Sequence, residues 1–123
     1  MNILIIKVGA LGDVVRTSFL AQALKDKYKG EDTKIFWVTQ EKAKPLFINN
    51  PYVDYLIIDK NKDKLKEVRF DSIINLEEDM ENCEFASSFN TKNKIGFFLE
   101  NNKVVPTKTT EEWFNMSALG EKP

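Results

Sequence analysis

Apolar and polar positions alternate in blocks along this chain, and the blocks are of two kinds. Short continuous apolar runs of four to six residues recur, and stretches with helical spacing lie between them. Asn2 to Val8 is the first run, rich in isoleucine and closed by Gly9, which predicts a strand buried on both faces. Asp13 to about Tyr28 predicts a helix, with Val15, Phe19, Leu20, Ala23 and Leu24 on one face, Arg16, Lys25 and Lys27 on the other, and Gly30 as its stop. "TKIFWV", from Thr33 to Val38, predicts a second strand. Thr39 is placed to cap a short helix holding Ala43, Leu46, Phe47 and Ile48, which Pro45 shortens or breaks.

The alternation continues. "DYLII" (Asp54 to Ile58) and "DSIINL" (Asp71 to Leu76) predict the third and fourth strands, with a short helix at Asp63 to Val68 between them. The acidic cluster Glu77-Glu78-Asp79 opens a helix reaching about Phe89, with Met80, Cys83 and Ala86 on one side. "KNKIGF" (Lys92 to Phe97) predicts a fifth strand, Leu99 to Pro106 a loop or hairpin, and Thr109 onward a last helix carrying Trp113, Phe114 and Met116. Strand and helix in turn predict an α/β domain: a Rossmann-like parallel sheet with helices on both faces, because parallel strands need crossover connections.

Composition changes this picture only at its margins. The chain has 123 residues, one domain by length, and is 42% hydrophobic. Lys plus Arg is 18 against 19 acids, a net charge of −1, which gives no basic surface for nucleic acid. There is one cysteine and no histidine, so no disulfide framework, no Ser-His-Asp or Cys-His mechanism and no histidine-based zinc site can be assembled from this chain. No metal and no cofactor are expected. The N-terminal apolar run is too short for a signal peptide, and no run is long enough to span a membrane, which predicts a cytoplasmic protein.

Candidate chemistry gathers in "KVGALGDVVR", Lys7 to Arg16, which joins the first strand to the first helix. In a doubly wound sheet this turn borders the crevice at the carboxyl edge, where ligands bind. Gly9 and Gly12 are spaced G-x-x-G-D, lacking both the third glycine of the dinucleotide fingerprint and the Gly-Lys-Ser/Thr of a P-loop. They permit positive φ and close ligand approach. Asp13 has two readings: the N-cap of the helix, or a base that takes a proton from a ligand hydroxyl. Lys7 reads as a strand-end residue facing solvent and Arg16 as a solvated first-turn residue. Glu77, Glu78 and Asp79 complement a helix dipole or line the crevice, and Cys83 reads as a small buried hydrophobe.

The opening "MNILIIKVGALGDVVRTSFLAQALKDKY" resembles that of glycosyltransferase family 9, the lipopolysaccharide heptosyltransferases and their relatives. Its GALGD turn, the Leu20-x-x-x-Leu24-Lys25 pattern, Trp37-Val38, "NNPYVDYLI" (Asn49 to Ile57) and "FDSIINLEED" (Phe70 to Asp79) follow in the family's order over residues 1 to roughly 100. The resemblance implies the N-terminal half of a GT-B fold, with residues 1–123 as a single acceptor-side domain. The C-terminal domain that binds the nucleotide-sugar donor, of ADP-heptose type, would then be missing. It implies inverting transfer to a lipopolysaccharide-core or similar glycan acceptor, with Asp13 as catalytic base. Lys7, Gly9, Ala10, Leu11, Gly12 and Arg16 would contact the acceptor. Such an acceptor would bring the protein to the inner face of a membrane as a peripheral associate. Two other classes stay open: a small Rossmann-like nucleotide-binding enzyme, and a non-catalytic stand-alone α/β module. Thr39-Gln40, where an acidic residue would end the second strand, tells against the dinucleotide case.

Overall fold

The computed structural model describes residues 1–91 and 93–107. Six strands form one sheet: β1 (Asn2–Ile6), β2 (Lys34–Thr39), β3 (Tyr55–Ile58), β4 (Ser72–Asn75), β5 (Asn93–Glu100) and β6 (Lys103–Pro106). Their order is β3-β2-β1-β4-β5-β6, with β1 to β5 parallel and β6 antiparallel to β5. This is the expected Rossmann-like arrangement, with a hairpin added at one edge. Asn101 and Asn102 turn that hairpin at φ of 52° and 63°, a conformation asparagine tolerates better than most residues. The last predicted helix, from Thr109, lies outside the described residues, as does Lys92.

Side-chain alternation along the strands builds two cores. Ile3, Ile5, Ile35, Trp37 and Ile74 meet Val14, Leu20, Ala21, Leu24, Ala43 and Phe47 on one face. Leu4, Ile6, Val38, Ile57, Ile73 and Phe98 meet Leu65, Phe70, Phe85, Ala86 and Phe89 on the other. Both faces are therefore dry, which is why β1 reads as unbroken isoleucine and leucine.

The predicted first helix is two helices, α1 (Leu11–Thr17) and α2 (Leu20–Lys27), separated at Ser18 and Phe19. The hydroxyls of Thr17 and Ser18 donate to Asp13 O and Val15 O, competing with the backbone ladder where it breaks. Of the expected apolar face, Leu20 and Leu24 are buried and Phe19 packs against the core, but Val15 and Ala23 are not buried. Val14 and Ala21 are buried, whereas Val15 is 53% exposed and Ala23 is on the surface. Val14, Ala21 and Leu24 share one core cluster across the two helices, which leaves Val15 outside.

Two connections are 3-10 helices, Glu41–Phe47 and Asp59–Glu67. Pro45 sits within the first, consistent with the short helix expected there. Thr39 does not cap it. It is the buried last residue of β2, and Gln40 precedes the helix. The second is pinned to α3 (Met80–Ser87) by Lys62, whose ammonium donates to Asp59, Glu81 and Asn82 at 2.8, 3.0 and 3.0 Å. Among the described residues, no helix is long and apolar enough to cross a membrane.

Candidate active site at the carboxyl edge of the sheet

β1 and β4 are neighbours, yet their connections leave to opposite faces, so the crevice opens between their carboxyl ends. The turn from Lys7 to Ala10 lies there and is tied from both sides. From the β4 side, the Glu77 carboxylate accepts from Val8 N–H and Gly9 N–H, each at 2.6 Å to the same oxygen, and pairs with Lys7 Nζ at 3.4 Å. From the β2 side, the Gln40 side-chain amide donates to Val8 O and Gly9 O at 2.8 Å each.

Glu77 is itself held by Asn75, a fully buried residue at the end of β4. Asn75 Nδ2 donates to Glu77 O and Phe97 O, and Asn75 Oδ1 accepts from Glu77 N–H. A buried amide whose donors and acceptor are all used specifies one conformation of its neighbours. The chain therefore leaves β4 at a set angle, with Glu77 aimed across at β1.

These contacts revise several expectations. Glu77 does not start the helix; Asp79 does, its carboxylate accepting from Asn82 N–H at 3.0 Å. Lys7 does not face solvent: its side chain is 12% exposed and paired with Glu77. Neither Gly9 nor Gly12 adopts positive φ; Gly30 and Gly96 do. Gly9 is small for another reason. A Cβ there would lie 3.2 Å from a Glu77 oxygen. At Gly12 the corresponding space is open, with nothing within 4 Å.

Asp13 is not the N-cap. Ala10 occupies that position without a side-chain bond, and Asp13 is the third residue of α1. Its carboxylate accepts a hydrogen bond from the Arg16 guanidinium one turn on. That bond, then the Arg16 charge, with a smaller contribution from Lys7, outweighs desolvation and holds the carboxyl below its usual range. Arg16 is 78% exposed in its side chain and lies in the last turn of α1, not the first. Around the pair, Ala10, Leu11, Gly12 and Val15 are all exposed. The seven predicted site residues thus divide. Ala10, Leu11, Gly12, Asp13 and Arg16 present a surface, while Lys7 and Gly9 belong to the Glu77 lock beneath it.

Sequence reasoning did not single out Gln40 or Asn75. Their signal was positional, since each is a polar residue at the carboxyl end of a buried strand. Cys83 is fully buried, as expected, and burial followed by the nearby acids pushes its thiol up against the hydrogen bond from Asn75. Among the described residues, no group of three His, Cys, Asp or Glu side chains is arranged to hold a metal ion.

No family model matches the chain. Over 64 residues it is 38% identical to lipopolysaccharide heptosyltransferase 1 of Campylobacter coli, a match covering 52% of this chain and 18% of that protein. The structure of a family 9 glycosyl transferase from Veillonella parvula superposes with a TM-score of 0.64 at 25% identity, over 77% of this chain and 31% of that one. E. coli heptosyltransferase WaaC, solved with ADP and with ADP-2-deoxy-2-fluoro heptose, shares the fold: with ADP the TM-score is 0.64 at 18% identity, over 78% of this chain and 35% of that one. The chain thus spans about a third or less of the length of these relatives. It is related in sequence and fold to the glycosyltransferase family 9 heptosyltransferases over part of their length, and its mostly parallel six-stranded sheet matches part of their GT-B structure.

Proposed function

We propose that this chain is the acceptor-side domain of a heptosyltransferase-like inverting glycosyltransferase, with Asp13 as the general base. The observation that carries the reading is the position of Asp13. It is a carboxylate at the carboxyl edge, paired with a solvated arginine and flanked by open space at Gly12. An acceptor hydroxyl hydrogen-bonded to Asp13 would lose its proton as its oxygen attacks the anomeric carbon of a nucleotide-sugar. The nucleoside diphosphate would leave from the opposite face. Arg16 is free to swing toward an anionic acceptor, which would release Asp13 to act. Leu11 and Val15, 44% and 53% exposed, offer apolar contact to the same ligand. The donor would bind a further domain, in keeping with the share of the relatives that this chain spans.

The first test is parallel calorimetric titration of this chain with core-oligosaccharide acceptors and with ADP-heptose. Acceptor binding without donor binding is expected, and donor binding alone would overturn the reading. A substitution refines it. Gly12→Ala meets no atom and replaces a helical glycine, so the unliganded domain should gain about 0.4–1 kcal/mol in a thermal melt. The same methyl projects into the proposed acceptor space, so affinity for the acceptor should fall. Unchanged affinity would move the acceptor away from α1.

A further inference from the structure

The backbone of the switch-point turn has the makings of an anion site, and that site is already filled. Val8 N–H and Gly9 N–H are consecutive donors converging on one oxygen of Glu77 at 2.6 Å each, with the Lys7 ammonium 3.4 Å from the same oxygen. Two adjacent amides and a cation are the donor set with which glycine-containing turns take a phosphate oxygen. The Lys7 and Glu77 side chains are 12% and 13% exposed, so the arrangement lies beneath the surface that carries Asp13. Gly9 completes it, since any Cβ there would crowd the carboxylate. Asn75 fixes the Glu77 backbone through both its N–H and its C=O, so the plug is anchored and does not depend on the turn it fills.

We infer that Glu77 is a built-in anion that excludes phosphate from this turn. It is thereby a specificity-determining residue, which closes these two amides and Lys7 to phosphate and leaves Asp13 and Arg16 as the groups that meet the ligand. A nucleotide entering here would have to displace a carboxylate that already satisfies both amides and the lysine, and it would bring its own negative charge beside Asp13. The exclusion belongs to the turn itself. Only its consequence, that the ligand admitted is a sugar acceptor, rests on the transferase reading.

The test uses inorganic pyrophosphate as the probe and the amide resonances of Val8 and Gly9 as the readout. In the wild-type chain these resonances should not move saturably. In Glu77→Ala, which frees both amides and Lys7, they should titrate with an affinity at least about tenfold tighter than any wild-type response. The melting temperature of the variant should also rise with pyrophosphate more than it does with chloride at equal ionic strength. Equal responses in the two proteins, or a folded Glu77→Ala with silent amides, would overturn the inference. Should Glu77→Ala not fold even with the anion present, Glu77→Gln keeps an oxygen for the amides and removes the charge. A weaker titration at Val8 and Gly9 is then expected, and no response would count against the inference. Failure of the wild-type chain to bind any acceptor would sink the transferase reading and leave this result standing.

Discussion

Gly96→Ala should lower the melting temperature of the domain by about 10–20 °C, among the largest stability effects available from a single methyl. Gly96 lies in β5 opposite Asn75 of β4 and has φ of 102°. An alanine Cβ there would be placed 2.0 Å from Asn75 O and 2.8 Å from its carbonyl carbon, both backbone atoms that no rotamer can move. Left-handed strain and the forced separation of two paired strands together cost about 2–6 kcal/mol, against a total stability of about 5–15 kcal/mol for a small domain. Gly30 separates the two contributions. It has φ of 100° but open space around it, so Gly30→Ala should cost only the backbone strain, about 1–3 kcal/mol. Circular-dichroism melts of the two variants check this, and equal losses would mean that the contact with Asn75 relaxes without cost.

The position of Gly96 links stability to the site. Asn75 reaches from β4 to Phe97 O beside that glycine and also holds Glu77, so pushing β5 away would loosen the Lys7–Ala10 turn. None of this was legible in the sequence. "KNKIGF" marks a strand by its apolar residues, but a glycine within it says nothing about which carbonyl it faces until the register is known.

The sheet was far more legible than the site, and the reason is range. Strand identity rests on local apolar runs such as Asn2–Ile6 and Ser72–Asn75, and their parallel order follows from the helical segments between them. Helix phase was harder, because "DVVRTSFLAQAL" offers apolar residues at both Val14 and Val15 and at both Ala21 and Ala23. Packing against Ala43 and Phe47 decides for Val14, and those partners lie on another segment of the chain. The site depends on such distant partners throughout. The carboxylate that fills the Val8–Gly9 turn is Glu77, 68 residues from Gly9. A reader of the sequence sees Glu77 as one of three acids before a helix. Only the adjacency of β1 and β4 turns it toward Val8 and Gly9.

If the chain serves as the proposed acceptor-side domain, Asp13→Asn in a protein that also carries a donor domain should lower kcat by about 10²–10⁴-fold, the range for losing a positioned general base, while acceptor affinity stays close to that of the wild type. Asparagine preserves the shape of the side chain and an oxygen for Arg16 but cannot take a proton at neutral pH. The change should barely move the melting temperature, because the ion pair it alters is exposed and contributes little. Those two readouts separate a base from a structural residue, since a helix-stabilising aspartate would lose stability and keep turnover. The pH profile supplies the sign. Arg16 holds the carboxyl below its usual range, so the ionised base persists down to acidic pH and activity is lost only as pH falls through that lowered value. Arg16→Gln removes the charge and weakens the hydrogen bond, which raises the carboxyl toward its ordinary value and moves the acidic limb of kcat/KM to higher pH. Because kcat/KM reports the free protein, an acidic limb that stays in place in Arg16→Gln would show that Arg16 does not set the titration of the base before the acceptor binds.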